Sequence, residues 1–184
     1  MVSITEFVEN SIGHWRSQRS AHHLTFGHFE AVESEIDIVS LSVEDQGVID
    51  LCKMYDIDPK LAVSPFQMSW EGESDWDEEE VHKGSCVLVP IPDPERINCG
   101  KLLRDRGYAE TMAAAGEYSI TEDGTFVLLT PYDRAVAEEK IWFVNPNVRC
   151  RVSLIKTSGG TGVLTASFSS EIRRGVNSET GDQS

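Results

Sequence analysis

The spacing of apolar residues predicts two helices near the start of the chain and strands almost everywhere else. Over residues 3–12 the apolar side chains recur at helical spacing, and Ser3 and Glu6 are placed to form a capping box. A second, short helix is expected over residues 43–54, with Ser42 as its N-cap.

The rest of the chain consists of short runs of apolar and β-branched residues that are separated by turn residues, which is typical of antiparallel strands. The expected strands span residues 15–26, 35–42, 62–70, 74–76, 85–91, 99–104, 116–121, 125–130, 135–145, 148–156 and 163–173. So many strands with little helix predict a mostly β fold, an antiparallel barrel or sandwich.

Two turns set the expected register of the last three strands. With turns centred near Pro146 and Gly160, the facing pairs are Phe143 with Arg149, Ile141 with Arg151, Arg149 with Glu171, Arg151 with Ser169, and Ser153 with Ser167. Because side chains alternate between faces, one polar face gathers Glu139, Arg149, Arg151, Ser153, Ser167, Ser169 and Glu171.

The opposite face of the same strands is apolar and permits two orientations. It carries Trp142, Val144, Val148, Cys150, Val152, Leu154, Ala166, Phe168 and Ile172. In an ordinary barrel this face would form the core and the polar face would meet solvent. Alternatively, the polar face lines a ligand cavity and the apolar face packs under other elements. The alternation alone leaves both orientations open.

Length and charge narrow the function classes. The chain has 184 residues, enough for one domain, which we expect to span 1–174 and to be followed by a disordered tail at 175–184. A net charge of −15 disfavours nucleic acid and anionic membranes as partners. We expect no membrane insertion, since no run of apolar residues is long enough to span a bilayer.

The residues that could bind metal or act as nucleophiles show no spacing that favours either role. The four cysteines are scattered and are expected to be reduced, packed thiols. His22 and His23 are adjacent, so on a strand they point to opposite faces. The acidic run at residues 75–80 lacks the oxygen spacing of an EF-hand and is expected to form an exposed loop. We therefore expect no metal site.

Five separated blocks resemble one known family. They are SIGHWRSQRSAHHL, SWEGESDWD, GKLLRDRGYAE, EEKIWFVNPNVRCR and ASFSSEIR, in family order over roughly residues 5–175. These blocks resemble the S-type phycobiliprotein lyases, which are bilin chromophore lyases. The resemblance implies a single antiparallel β-barrel, similar to lipocalins and fatty-acid-binding proteins, with an accompanying helix.

The resemblance also implies an activity. Such a protein binds a free linear tetrapyrrole, phycocyanobilin or phycoerythrobilin, without bonding to it. It then directs addition of a cysteine thiol of an apo-phycobiliprotein α or β subunit to the bilin, giving a thioether. The bilin is a substrate and no further cofactor is expected. A homodimer is a further expectation, and the compartment would be the cyanobacterial cytoplasm, or the plastid stroma for a mature algal protein.

The chemistry of a bilin suits residues that match the family. Its propionates call for guanidinium groups, its conjugated rings for aromatic faces, and its nitrogens and the proton gained in the reaction for carboxylates. The expected binding residues are Arg19, His22, Trp70, Trp76, Arg149, Arg151 and Ser153, and the expected catalytic residues are Glu139 and Glu171. An ionised carboxylate would hold the bilin protonated, whereas a desolvated, neutral one would donate a proton; the residues alone do not choose.

Three functions compete on these grounds. The first is the lyase. The second is a carrier barrel for a fatty acid or another lipid, which would use the same fold and an arginine pair. The third is a non-catalytic bilin carrier or assembly factor.

Overall fold

A closed barrel of ten antiparallel strands forms the body of the protein over the residues that the computed structural model describes, which are 2–74, 77–105, 114–159 and 162–175. Strands that are consecutive in sequence pair with each other, and the last strand pairs with the first. Closure leaves the barrel without an unpaired edge. The predicted mostly β class and the barrel are thus confirmed.

The elements follow one another in a simple meander with both helices in its first third. They are α1 (Ile4–Ser11), β1 (Gly13–His23), β2 (His28–Ser40), α2 (Gln46–Met54), a 3₁₀ turn (Pro59–Leu61), β3 (Phe66–Ser74), β4 (Asp77–Pro92), β5 (Cys99–Arg104), β6 (Ala114–Ile120), β7 (Phe126–Pro131), β8 (Ala135–Asn145), β9 (Val148–Thr157) and β10 (Val163–Arg173). Of these described helices, none is long and apolar enough to cross a membrane.

The helix predictions are right in type and partly wrong in capping. In α1 the Ser3 hydroxyl accepts from the Glu6 N–H and the Glu6 carboxylate accepts from the Ser3 N–H, so the capping box is confirmed. Helix α2 begins at Gln46 instead of 43, with Asp45 as its N-cap. The Ser42 hydroxyl accepts from the Glu44 N–H at 3.1 Å and caps only a turn before the helix.

Two strands extend further than predicted. Strand β2 begins at His28 instead of 35, and β4 begins at Asp77 instead of 85. The part of the acidic run that the structure describes, residues 77–80, therefore lies in a strand and not in a loop. Antiparallel pairing supplies backbone hydrogen bonds whatever the side chains are, which is why polarity misled the prediction. Residues 75–76 lie outside the described part of the chain, as does the predicted tail beyond 175.

Helix α1 closes one end of the barrel. Its buried side chains Ile4, Phe7 and Val8 join the main hydrophobic core, and the ring of Phe7 stacks on Phe126 at 4.5 Å between centroids. Phe126 opens β7, so the helix lies at the end of the barrel where β7 begins. The opposite end of the barrel is not covered by α1.

The loop after α1 is fixed by Arg173, near the end of β10. Its guanidinium donates to the carbonyls of Asn10 and Ile12 at 2.7 and 2.5 Å. The indole of Trp15 donates to the carbonyl of Ser11 at 2.9 Å. These contacts satisfy carbonyls that the end of a helix leaves unpaired, and they tie α1 to β1 and β10.

Helix α2 packs on the outside of the barrel. Its buried residues Val48, Leu51 and Cys52 form a second core with Val89 of β4 and Leu103 of β5. The outer face of β4 and β5 is therefore covered by a helix.

The outer face of β8 to β10 is not covered in this way. Val144, Phe168 and Ile172 are 61%, 45% and 56% exposed. The expectation that this apolar face packs under other elements is wrong for these three residues, because α2 covers β4 and β5 instead.

Replacing a core residue of α2 tests this second core. Leu51→Ala should lower the free energy of unfolding by about 2–5 kcal/mol, because it removes buried methyl groups and leaves a cavity. Met54→Ala, on the exposed side of the same helix, should change it by less than about 0.5 kcal/mol. Urea unfolding followed by circular dichroism measures both, and equal effects would contradict the packing of α2 described above.

Candidate functional site

The polar face of the last three strands points into the barrel. All five predicted cross-strand pairs are present, including Arg149 with Glu171 and Ile141 with Arg151. Glu139, Arg149 and Glu171 are 4%, 1% and 1% exposed. The register prediction is confirmed, and of the two orientations the structure has the one with the polar groups inside.

Five charged side chains form a chain of alternating sign across the interior. Arg104 contacts Glu139 at 2.7 Å, and Glu139 lies 3.8 Å from Arg151. Arg151 lies 3.6 Å from Glu171, which is in turn hydrogen-bonded to Arg149. The contributions come from β5, β8, β9 and β10. Burying so many charges is tolerated only because each has a partner of opposite sign.

Both carboxylates in this chain are held in the ionised form. Burial by itself would raise the pKa of Glu139, but Arg104 and Arg151 outweigh it, and the pKa is lowered. Burial likewise opposes ionisation of Glu171, and Arg151 and Arg149 lower its pKa overall. Both groups are therefore carboxylates at neutral pH and carry no proton to donate.

Arg149 is a buried cation of this chain whose pKa is shifted by desolvation. Burial lowers its pKa to about 10, against the opposing effect of Glu171, so it stays charged at neutral pH. Its guanidinium carbon lies 4.6 Å from the ring centroid of Trp15, a cation–π geometry. Its Nη2 is buried and has no hydrogen-bond partner among the described residues.

The charged chain lies between two cavities. The smaller one, about 60 Å³, is mostly apolar and is bounded by α1. The larger one, about 320 Å³, lies on the other side, and Met68, Arg104 and Arg151 line both. The larger cavity has the size and mixed lining of a small-molecule site.

The larger cavity is built from the halves of the strands that lie away from α1. Its lining comprises Ser17, Arg19, Glu30, Val32, Ser34, Ile36, Met68, Trp70, Gly72, Cys86, Arg104, Arg151, Ser167, Ser169 and Glu171. Trp70 lies across Gly84 of the neighbouring strand, where an added Cβ would come within 2.6 Å of the indole. Glycine at 84 thus leaves the space that the indole occupies.

The structure brings together most of the residues predicted for the site. Arg19, Trp70, Arg151 and Glu171 line the larger cavity, and Glu139 and Arg149 line the smaller one beside it. Ser153 is buried and pairs with Ser167 on the same inner face. Trp76 lies outside the described residues.

His22 is not part of the cavity, contrary to the prediction. Ala21 is buried and Arg19 lines the cavity, so strand alternation turns His22 outward. Its ring is exposed and contacts Phe29 edge to face at 5.0 Å between centroids. The family resemblance, on which the prediction of His22 rested, did not show which face of β1 this side chain occupies.

Sequence reasoning missed Arg104 and Cys86. Both are buried, at 7% and 6% exposure, and both line the larger cavity. In CGKLLR the two leucines fall on opposite faces, so the alternation did not show which face was inner. One signal could have identified Arg104: it ends an apolar strand and lies in GKLLRDRGYAE, one of the blocks that resemble the family.

The polar groups of the site are arranged as ion pairs. Within residues 2–74, 77–105, 114–159 and 162–175, no group of three potential ligands could hold a metal ion. Burial raises the pKa of the Cys86 thiol to about 11, so this thiol is neutral at physiological pH.

Removing one carboxylate of the chain should expose its contribution to stability. Glu171→Gln should lower the free energy of unfolding at pH 7 by about 3–5 kcal/mol, because Arg149 loses its buried partner. A carboxyl group with a lowered folded pKa stabilises the fold above its unfolded pKa of about 4.3, and this stabilisation fades as the pH falls towards the folded pKa. The difference in the free energy of unfolding between Glu171→Gln and wild type should therefore become smaller below about pH 4.3.

Urea unfolding between pH 3 and pH 7 measures this difference. Glu122→Gln, at an exposed turn position, serves as the control and should match wild type throughout. A gap between Glu171→Gln and wild type that stays constant down to pH 3 would show that Glu171 does not act as a buried carboxylate.

Comparison with known proteins agrees with this geometry. A family model described as CpeS-like protein matches residues 3–174. The chain is 66% identical over 172 residues to "Chromophore lyase CpcS/CpeS 3" of Trichodesmium erythraeum (strain IMS101), covering 94% of this chain and 99% of that protein. It is 40% identical over 161 residues to "Phycocyanobilin lyase subunit CpcS" of Picosynechococcus sp., covering 87% and 81% of the two chains.

A solved structure has the same fold. It is the S-type phycobiliprotein lyase CPES from Guillardia theta, with a TM-score of 0.83 and 50% sequence identity over 95% of this chain and 94% of that one. The match over nearly the whole chain, together with the family model and the relatives, identifies the chain as a member of the CpeS-like family.

Proposed function

We propose that the protein is a bilin lyase. It binds free phycocyanobilin or phycoerythrobilin non-covalently in the larger cavity and directs thioether attachment to a cysteine of an apo-phycobiliprotein α or β subunit. The names of its relatives, chromophore lyase and phycocyanobilin lyase subunit, support this class of activity. The observation that carries the proposal is the buried chain of three arginines and two ionised glutamates beside the cavity.

The charged chain suits the two kinds of polar group on a bilin. Its arginines offer guanidinium donors to the propionates, and Arg19 adds another from β1. Its carboxylates offer acceptors to the pyrrole nitrogens. The indole of Trp70, on the cavity wall, offers a face to the conjugated rings. A simple fatty acid would need the arginines but would leave the carboxylates without a ligand partner.

The ionised state of the carboxylates indicates how they act. Glu139 and Glu171 would hold the bound bilin protonated on nitrogen, which draws electrons from ring A and makes its ethylidene group more electrophilic. The acceptor's sulfur then bonds to the exocyclic carbon, and the thiol's proton is delivered to the neighbouring ring carbon. The step is an addition with no leaving group, and it needs no oxidant or reductant.

The nucleophile in this proposal belongs to the acceptor subunit. Burial keeps the Cys86 thiol in the cavity wall neutral, so this thiol does not add to the bilin and the lyase binds the bilin without a covalent bond. Transfer is transient, and a strongly acidic lyase suits release of the product more than a lasting complex.

Adding each bilin to the purified protein, and then each apo-subunit, tests the function. A red-shifted, sharpened bilin absorbance is expected on binding, followed by acid-urea-stable fluorescence on the acceptor. An unchanged spectrum would contradict bilin binding and favour a lipid carrier. A bound bilin that never becomes covalently attached to any subunit would leave a non-catalytic carrier.

Arg149→Ala should weaken bilin binding by about 10- to 100-fold, since hydrogen bonds to charged groups contribute about 1.5–3 kcal/mol. Transfer should fall at least as far. Arg134→Ala, in a side chain that is 95% exposed, is the matched control, and Glu179→Ala is a second one; both should behave as wild type.

Absorbance titration measures the affinity, and circular dichroism checks that each variant is folded. Arg149→Lys keeps the charge and guards against loss of the fold. Equal affinities of Arg149→Lys, Arg149→Ala and Arg134→Ala for bilin would contradict a role of Arg149 in bilin binding.

A further inference from the structure

Arg104 reaches Glu139 from across the barrel. It lies on β5, and strands β6 and β7 separate β5 from β8, which carries Glu139. Even so, its Nη2 donates to Oε2 of Glu139 at 2.7 Å. The contact joins two walls that no backbone ladder joins, so it fixes where the carboxylate lies within the interior.

The backbone that carries Arg104 is itself held in place. The carboxylate of Asp105 accepts from the Val87 N–H at 3.0 Å, and the Asp105 N–H donates to the Val87 carbonyl. The phenol of Tyr55, just after α2, donates to the Arg104 carbonyl at 3.4 Å. A side chain on such an anchored strand end can position a partner reproducibly.

The two carboxylates of the charged chain share an asymmetry. Oε2 of Glu139 accepts a hydrogen bond from Arg104, and Oε2 of Glu171 accepts one from Arg149. Their Oε1 atoms face Arg151 at 3.8 and 3.6 Å, which is too far for a hydrogen bond. Within the described part of the chain, one oxygen of each carboxylate is thus held by a hydrogen bond, and the other faces Arg151 beyond hydrogen-bonding distance.

We propose that Arg104 is a positioning residue of the bilin site: from across the barrel it holds one oxygen of Glu139 and so presents the other to a nitrogen of the bilin. This inference rests on the proposed function. It gives Arg104 a role that neither Arg149 nor Arg151 can fill, since Arg149 serves Glu171 and Arg151 lies between both carboxylates. The position of Arg104 at the boundary of both cavities fits this role.

The pH dependence of bilin affinity and transfer separates positioning from mere structural support. In Arg104→Gln, Glu139 keeps its burial but loses its hydrogen-bonded cation, so it takes up a proton more readily. The acid limb of both pH profiles should move up by about one pH unit or more. Arg104→Lys, which keeps the charge, should return the limb most of the way to its wild-type position.

Two controls complete the experiment, with phycocyanobilin as the probe and absorbance and acceptor fluorescence as readouts between pH 3 and 8. Arg134→Gln, at an exposed position, should leave the profile unchanged. In the Glu139→Gln background, adding Arg104→Gln should no longer shift the limb, because the group that titrates is absent.

A lower rate in Arg104→Gln with an unshifted pH profile would overturn the inference while leaving the lyase activity of the wild type standing. So would a shift that persists in the Glu139→Gln background. If wild type neither binds nor transfers the bilin, the proposed function itself fails, and the two failures are therefore distinguishable.

Discussion

The structure depends on a set of charges that must neutralise one another away from water. Three arginines and two glutamates alternate across the barrel interior, and positive charges outnumber negative ones by one within this set. Burying a single charge without a partner costs free energy, so the loss of any one member leaves a neighbouring charge buried and uncompensated. This mutual dependence explains why both carboxylates are ionised despite burial. Apolar side chains of similar volume often give an interior as stable as buried ion pairs, so stability alone does not account for the charged set.

The closed end of the barrel is tied to the same set of charges. The ring of Trp15 lies between two guanidiniums, with Arg149 at 4.6 Å and Arg173 at 4.2 Å from its centroid. Arg173 in turn holds the carbonyls at the end of α1. Arg149 belongs to the interior, and Arg173, at the end of β10, anchors the helix. The indole thus links the helix that seals the barrel to the residues that line the cavity.

Much of this arrangement follows from the sequence because strand alternation and two turns are local properties. The register of β8, β9 and β10 followed from the turns near Pro146 and Gly160 and is confirmed in every pair. Which face points inward did not follow, because a closed barrel and an ordinary sheet share the same alternation. Arg104 escaped for a different reason: its partner is 35 positions away and across the barrel, and such contacts depend on closure.

Closure of the barrel also determines how strongly the paired charges affect one another, because it removes them from water. On an open sheet, Arg104 and Glu139 would be surface groups in water, where an ion pair contributes little and a carboxylate gains little from its partner. Inside the barrel the same pair is desolvated, its geometry is fixed by two separate walls, and Oε1 of Glu139 lies 3.8 Å from Arg151, beyond hydrogen-bonding distance. A ligand with both anionic and proton-bearing groups would satisfy the arginines and the carboxylates together, which supports the proposed bilin site over one for a simple lipid.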